Sequence, residues 1–432
     1  MSAAARTAVG IGDIALYLPS LQVDIGALIR RRVEENPLLR KALKRAFEYT
    51  QQEKVRFPAW WEDCATMAAQ AALRLLTRGT LSLADLRYLA VGTETTVDHS
   101  KPVAAYVEGM LQDAGCEVPE GISTFQIQHA CAGGMISLLA VLALLALTNR
   151  PAESGVVVCS DVARYDPAST AELTQGAGAV AMSACVDPKL LEIDVATAGY
   201  SSSDVDDFFR PLGSDTARVK GGYSLKCYKQ AVSQALLDHC ARAGREPREV
   251  LAATDAFALH SPFMTLPVEA MSELISRHLG LDKAASRAFL AERDLDAAVE
   301  PVGVIGNIYS GALFLGLASV LWRRYQRLGD DIVGRQVLLF SYGSGNTAVV
   351  VAGRVAAGAP EVIRSWTLDE ELDHAVPATF GQYDRWMGSP GVPESDGGTV
   401  ADDEVVPAKR FYLSGIREDG YRLYDYQRDT RP

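Results

Sequence analysis

A chain of 432 residues with 48% hydrophobic composition is long enough to bury a sizeable core. Its formal net charge of −12 excludes nucleic acid as the main partner. The seven cysteines, at 64, 116, 131, 159, 185, 227 and 240, are odd in number and contain no C-x-x-C pair. They form neither a disulfide framework nor a zinc site, and the expectation is a reducing cytoplasm.

Taken in chain order, Met1-Ser-Ala-Ala-Ala-Arg6 lacks the charged-then-apolar layout of a signal peptide. Apolar runs bounded by glycine or polar residues then alternate with longer helical patterns, which predicts an α/β fold. A strand is predicted over Val9–Leu16, a helix over Asp63–Leu76 and a strand over Tyr88–Gly92. A helix over Pro102–Ala114 and a strand over Ile122–Gln128 lead to an apolar helix, Gly133–Leu147. Its stretch Met135–Thr148 is too short to span a bilayer and suits a buried helix, so no membrane partner is expected. Strands at Gly155–Ser160 and Ala177–Val186 close the first half, and helix Leu225–Ala243 and strand Ala256–His260 open the second. Helices Pro267–Leu279 and Tyr309–Tyr325 and strands Gln336–Tyr342 and Thr347–Val355 follow. The stretch 387–407 is rich in Gly, Pro, Ser and acidic residues and reads as a mobile surface loop, after which Phe411–Ile416 reads as a strand docking back on the body.

Four polar residues stand where apolar elements end. Cys131 lies in Phe125-Gln-Ile-Gln-His-Ala-Cys131-Ala-Gly-Gly134, where a strand turns into an apolar helix. A free cysteine is most often a buried structural residue, and the other six fit that description. Cys131 differs: a helix start favours the thiolate, and the small residues after it let a carbonyl approach. Glu94, in Ala90-Val-Gly-Thr-Glu-Thr-Thr-Val-Asp98, is either a solvated turn residue or a half-buried general acid/base. His260, in Leu259-His-Ser-Pro-Phe263, is either a core histidine bonded to backbone or a member of a site. Asn307, in Gly306-Asn-Ile-Tyr-Ser-Gly311, could cap the next helix. Phe340-Ser-Tyr-Gly-Ser-Gly345 suits a tight hairpin whose free N–H groups could form an oxyanion hole. In each half a buried strand delivers a polar residue to a turn that opens an apolar helix, which fits a duplicated fold.

These segments together resemble the 3-hydroxy-3-methylglutaryl-CoA synthase family of thiolase-fold condensing enzymes. The resemblance rests on Gly92–Lys101, Ala130–Gly134, Asp161-Val-Ala-Arg-Tyr165, Thr174–Met182 and Asp204-Val-Asp-Asp-Phe-Phe-Arg-Pro211. It continues through His260–Phe263, Gly306–Gly311, Ser341–Gly345 and Phe411-Tyr-Leu413. It implies a five-layered αβαβα duplication with halves at 1–190 and 191–432, and a homodimer. It also implies an acetyl group carried on Cys131, Glu94 as base and then acid, and His260 and Asn307 polarising the ketone of a 3-oxoacyl thioester. Substrate contacts are implied at Tyr165, Thr174, Phe208, Tyr309, Ser341 and Gly343. No metal or redox cofactor is needed, and the partners would be acyl-CoA or acyl carrier protein thioesters.

Two departures bear on substrate. Ala132 stands where the family often has an aromatic residue, which could enlarge the acyl pocket. The stretch Pro262–Glu269 lacks the lysine that commonly meets a CoA phosphate, so Arg218, Lys220, Lys226 or Lys229 would have to supply the charge. The balance tips slightly to the polyketide β-branching subgroup, which draws acetyl from a carrier protein, with a mevalonate-pathway synthase as the alternative. A β-ketoacyl synthase III-like enzyme needs no glutamate base, and a thiolase needs a late second cysteine that does not occur after Cys240. A carrier-binding scaffold without catalysis would leave Cys131 unacetylated.

Overall fold

The computed structural model describes residues 7–388 and 405–428. Most of the loop expected at 387–407 therefore lies outside the described residues. The elements that place the functional residues are β1 (Val9–Tyr17), α1 (Cys64–Thr77), β2 (Leu86–Gly92), β3 (Ser123–Ile127), α2 (Gly133–Thr148), β4 (Ser154–Ala163) and β5 (Gly176–Val186). They are followed by β6 (Leu191–Ile193), β7 (Gly199–Ser202), α3 (Gly221–Ala243), β8 (Ala256–Leu259), α4 (Leu295–Ile305), α5 (Ala312–Leu328), β9 (Gln336–Gly343) and β10 (Thr347–Val355). A terminal hairpin, β11 (Arg410–Ile416) and β12 (Arg422–Gln427), completes the set.

One mixed sheet runs in the order β8-β9-β10-β6-β1-β5-β4-β2-β3, with β7 also on β10. The two halves meet where β6 pairs with β1, through Gly10↔Glu192 and Ile11↔Leu191. Within each half the plan repeats. β2 and β4 are parallel, as are β8 and β9, so a helical crossover must join each pair. Hairpins β4–β5 and β9–β10 follow. Strand alternation divides the core. Leu89, Val91, Val156 and Val158 face α1 and its neighbours, while Ala90, Val157, Val180 and Met182 join α2, α3 and α5 between the halves. The result is the αβαβα stacking of the thiolase fold. Leu138, Leu142 and Leu145 of α2 are fully buried, each contributing about 1.5–3 kcal/mol.

The structure corrects several sequence expectations. Counted from Ala130, the α2 segment is 19 residues long and apolar enough to cross a bilayer by length and composition, yet most of it is buried inside the fold. The helix expected from Tyr309 starts at Ala312, because Tyr309–Gly311 forms a 3-10 turn. Helix α4 was not anticipated, since Pro301 interrupts its pattern. The late strand was foreseen, but its partner β12 was not; β11 docks through Leu413 N–H to Trp61 O at 2.9 Å and Phe411 N–H to Gln70 at 3.2 Å.

The end of β2 is seated directly on the start of α2. A Cβ on Gly92 would lie 2.3 Å from Gly134 N and 2.4 Å from Gly133 C, so no side chain fits. Gly92→Ala is therefore expected to cost about 1–3 kcal/mol, because backbone on the far side cannot yield. Thermal unfolding should show a melting temperature several degrees lower. The control Gly109→Ala, on an open helix face, should leave it unchanged or raise it.

Candidate active site

Glu94 and Cys131 follow β2 and β3, two parallel neighbours, while His260 and Asn307 follow β8 and α4 of the other half. Glu94, Cys131 and His260 therefore lie beyond the carboxyl ends of parallel strands, where such sheets leave a crevice, and Asn307 reaches the site from the end of a helix. The halves contribute in matched fashion. His260 ends β8 as Glu94 follows β2, and Asn307 precedes α5 as Cys131 precedes α2.

Cys131 is 9% exposed, and its Sγ lies 3.8 Å from Glu94 Oε2. Ala130, immediately before it, adopts a left-handed φ of 43°, which turns the chain into the helix. The expectation that the helix start favours a thiolate does not hold. Burial first, and then the charges of Glu94 and Asp161, push the Cys131 thiol well above its usual value, with Arg210 opposing only in part. Cys131 therefore rests as a neutral thiol beside a base.

Glu94 has a side chain only 6% exposed. Burial pushes its carboxyl up to about 8, against the pull of Arg210 and the hydrogen bond from Cys131. That places the group near neutrality, where a general base works best. Arg210 grips the residue twice, with Nη1 to the Glu94 carbonyl at 2.9 Å and Nη2 to Oε1 at 2.8 Å.

Asp161 is 0% exposed and joins the two halves of the site. Its Oδ1 accepts from Thr93 Oγ1 at 2.8 Å, Glu94 N–H at 2.9 Å, Thr95 N–H at 3.2 Å and Thr95 Oγ1 at 2.8 Å. Its Oδ2 accepts from Ser310 N–H at 3.1 Å and from the Ser310 hydroxyl. Ser310 Oγ also lies 2.8 Å from Gly92 O.

His260 is buried, and burial lowers its imidazole to about 3, so the ring stays neutral throughout the physiological range. Its backbone N–H donates to Phe340 O at 2.8 Å, its carbonyl accepts from Tyr228 Oη at 2.8 Å, and ring Nδ1 is buried without a partner among the described residues. Asn307 Oδ1 accepts from Tyr309 N–H at 2.9 Å, which directs the amide nitrogen elsewhere. Tyr309 holds φ at 43° in the turn that follows.

Around Cys131 the aromatic rings expected to touch substrate form one cluster. Tyr165, Phe208 and Tyr309 meet edge to face at centroid distances of 5.9–6.5 Å, with Ala163 and Ala217 completing the wall. Thr174 turns its hydroxyl back to Ala171 O at 3.0 Å, and its carbonyl accepts the Asn307 N–H at 3.1 Å. Ser341 is buried within β9. Gly343 is forced, because a Cβ there would lie 2.3 Å from His129 O. Ala132 borders the same space: its Cβ lies 2.9 Å from that position, so the β9 end is seated against it. In the Ser341–Gly345 loop, the Gly345 amide is already engaged and the adjoining Asn346 amide with it. Gly345 N–H donates to Asp207 Oδ1 at 2.9 Å, and Asn346 N–H to Ser203 O at 2.8 Å. Of the four cations considered for phosphate binding, Lys229 is paired with Glu269 at 3.2 Å and Glu273 at 2.5 Å, and Lys220 with Asp206. Arg218 and Lys226 have no ion pair among the described residues.

Asp161, Asp207 and Arg210 were not singled out by sequence, although all three fall in the quoted motifs. The available signal was a carboxylate directly after the apolar run Val156–Ser160, which demands a buried network.

Family models described as hydroxymethylglutaryl-coenzyme A synthase N terminal and C terminal match residues 5–189 and 282–390. A hydroxymethylglutaryl-CoA synthase of Enterococcus faecalis is 28% identical over 87% of this chain and 90% of its own length. A solved structure of MvaS in complex with 3-hydroxy-3-methylglutaryl coenzyme A is 31% identical, covering 98% of this chain and all of that one, with a TM-score of 0.83. The HMG synthase of the curacin biosynthetic pathway, in complex with holo donor-ACP, shares the fold at 23% identity and a TM-score of 0.81, covering 97% of this chain and 100% of that one.

If Glu94 must be ionised to act, kcat/KM should rise about tenfold per pH unit below pH 8 and level off above it. No histidine limb should appear between pH 5 and 9, since His260 is neutral there. Glu94→Gln should remove the rising limb; its persistence would reassign it.

Proposed function

Because the chain belongs to the hydroxymethylglutaryl-coenzyme A synthase family of thiolase-fold acyl-transferring enzymes, we propose that it condenses an acetyl group held on Cys131 with the ketone of a 3-oxoacyl thioester. The observation that carries the residue roles is the 3.8 Å contact between Cys131 Sγ and Glu94 Oε2 in a buried pocket. The Cys131 thiol yields its proton, attacks the acetyl thioester and expels the donor thiol. Glu94 then removes a methyl proton, and the resulting carbanion attacks the ketone carbon. His260 and the Asn307 amide polarise that ketone, and the new alkoxide takes a proton from Glu94. Water finally cleaves the Cys131 thioester to release the free carboxylate. This sequence is acid–base and nucleophilic throughout, and neither metal nor redox cofactor enters it.

The donor we favour is a carrier-protein thioester, as in β-branching. The cation accounting gives it partial support: Pro262–Glu269 offers no positive charge, and Glu269 and Asp206 engage Lys229 and Lys220, which leaves Arg218 and Lys226 as the candidate cations without an ion pair among the described residues. The second reading is a CoA-dependent synthase, favoured by the greater identity to MvaS, 31% against 23% for the curacin enzyme. A homodimer is part of the proposal. Strand β3, which leads into Cys131, is a sheet edge with a free side, and Leu147 nearby on α2 is 81% exposed. All seven cysteines are free, in keeping with a cytoplasmic setting.

Native mass spectrometry after mixing with acetyl-CoA, and separately with acetyl-loaded carrier protein, tests these points together. A dimer mass and an acetyl adduct from the carrier protein alone, lost in Cys131→Ala, are expected. An equally fast adduct from acetyl-CoA would favour the second reading, and no adduct from either would contradict the mechanism.

A further inference from the structure

We propose that Arg210 is a positioning residue whose two-point grip on Glu94 aims the base at Cys131 and favours its carboxylate form against burial. The inference rests on reading Glu94 as the base. Its ground is geometry. One guanidinium nitrogen takes the Glu94 backbone carbonyl and the other takes Oε1, while Oε2 is left facing Cys131 Sγ. The two carboxylate oxygens are thus assigned different tasks, one anchored and one turned to the reacting sulfur.

The pair is unlike an ordinary surface salt bridge. Its side chains are 17% and 6% exposed, so solvent screens the charges weakly. The groups facing Glu94 are Cys131, Asp161, Tyr165 and Tyr309 besides Arg210. Among these, Arg210 alone is a cation, and Asp161 opposes it as a second negative charge. Arg164 is the other cation near Arg210, and it acts on Arg210 rather than on the base.

The shape of arginine matters as well as its charge. Its planar fork spans a carbonyl and a carboxylate at once, which a single ammonium centre does not reproduce. The guanidinium also lies 5.9 Å from the centre of the Tyr309 ring, which ties its orientation to the aromatic wall of the pocket. Its backbone is fixed by the short ladder in which Phe208 and Phe209 pair with Val219 and Arg218. Three residues upstream, Asp207 holds Gly345 N–H and the Tyr342 hydroxyl, at 2.9 and 2.7 Å.

The test is the pH profile of kcat/KM for Arg210→Gln and Arg210→Lys beside the unaltered enzyme. Arg210→Gln is expected to move the acid limb upward by about one pH unit or more, a loss of roughly tenfold or more at neutral pH that alkali partly restores. Arg210→Lys should return the limb close to its original position while leaving a lower plateau, since charge is kept and aim is not. A Gln variant whose limb stays in place, or a Lys variant whose limb moves as far as that of Gln, would overturn the proposal. Should Arg210→Gln fail to fold, the limb of the Lys variant decides alone. An unaltered enzyme whose limb survives Glu94→Gln would overturn the base assignment itself, a result separate from either variant's behaviour.

Discussion

The Asp161 carboxylate is the constraint on which the site depends. It sits at the end of β4, wholly buried, and gives one oxygen to the Thr93–Thr95 loop and the other to Ser310. The first loop carries Glu94; the second segment carries Asn307 and Tyr309. One side chain from the first half thus ties the segment of Glu94, the proposed base, to that of Asn307, proposed to polarise the acceptor. Burying it without these bonds would be costly, and burial does push its carboxyl up, against the pull of its hydrogen-bond donors. The Thr93, Thr95 and Ser310 donors offset part of that burial cost.

The electrostatics follow from the same burial. Cys131 is held as a thiol, His260 as a neutral ring, and Glu94 near neutrality. The reacting groups are therefore poised to exchange protons with substrate rather than to carry fixed charges. The aromatic packing of Tyr165, Phe208 and Tyr309 around Cys131 keeps these values perturbed, and on the proposed mechanism it would also shield the acyl-enzyme from water.

Much of this was legible in the sequence because the chemistry stands at the ends of apolar runs. The strand-turn-helix signature around Cys131 and the parallel segment at Asn307 gave the duplicated plan, and eight of the ten strands of the main sheet fell within a few residues of their expected places, while the short β6 and β7 were not anticipated. What escaped had physical causes. The ionisation of Cys131 depends on neighbours brought in from 37 and 30 positions away, Glu94 and Asp161, which local dipole reasoning does not see. The close seating of Gly343, from the other half, against His129 and Ala132 is likewise a long-range contact. The loop amides at Gly345 and Asn346 were engaged by Asp207 and Ser203, contacts that no periodicity encodes. Helix α4 was hidden by its internal proline, and Arg210 by a stretch with little regular pattern.

The most direct test of the central claim is a double-mutant cycle on Asp161→Asn and Ser310→Ala, read as kcat for condensation with folding checked by circular dichroism. If the carboxylate acts by tying the two segments together, the two losses will be strongly non-additive, and Ser310→Ala will cost little once Asp161 has been altered. Losses that simply add would mean that the two residues act independently, and the account of a site aligned by one buried carboxylate would be contradicted.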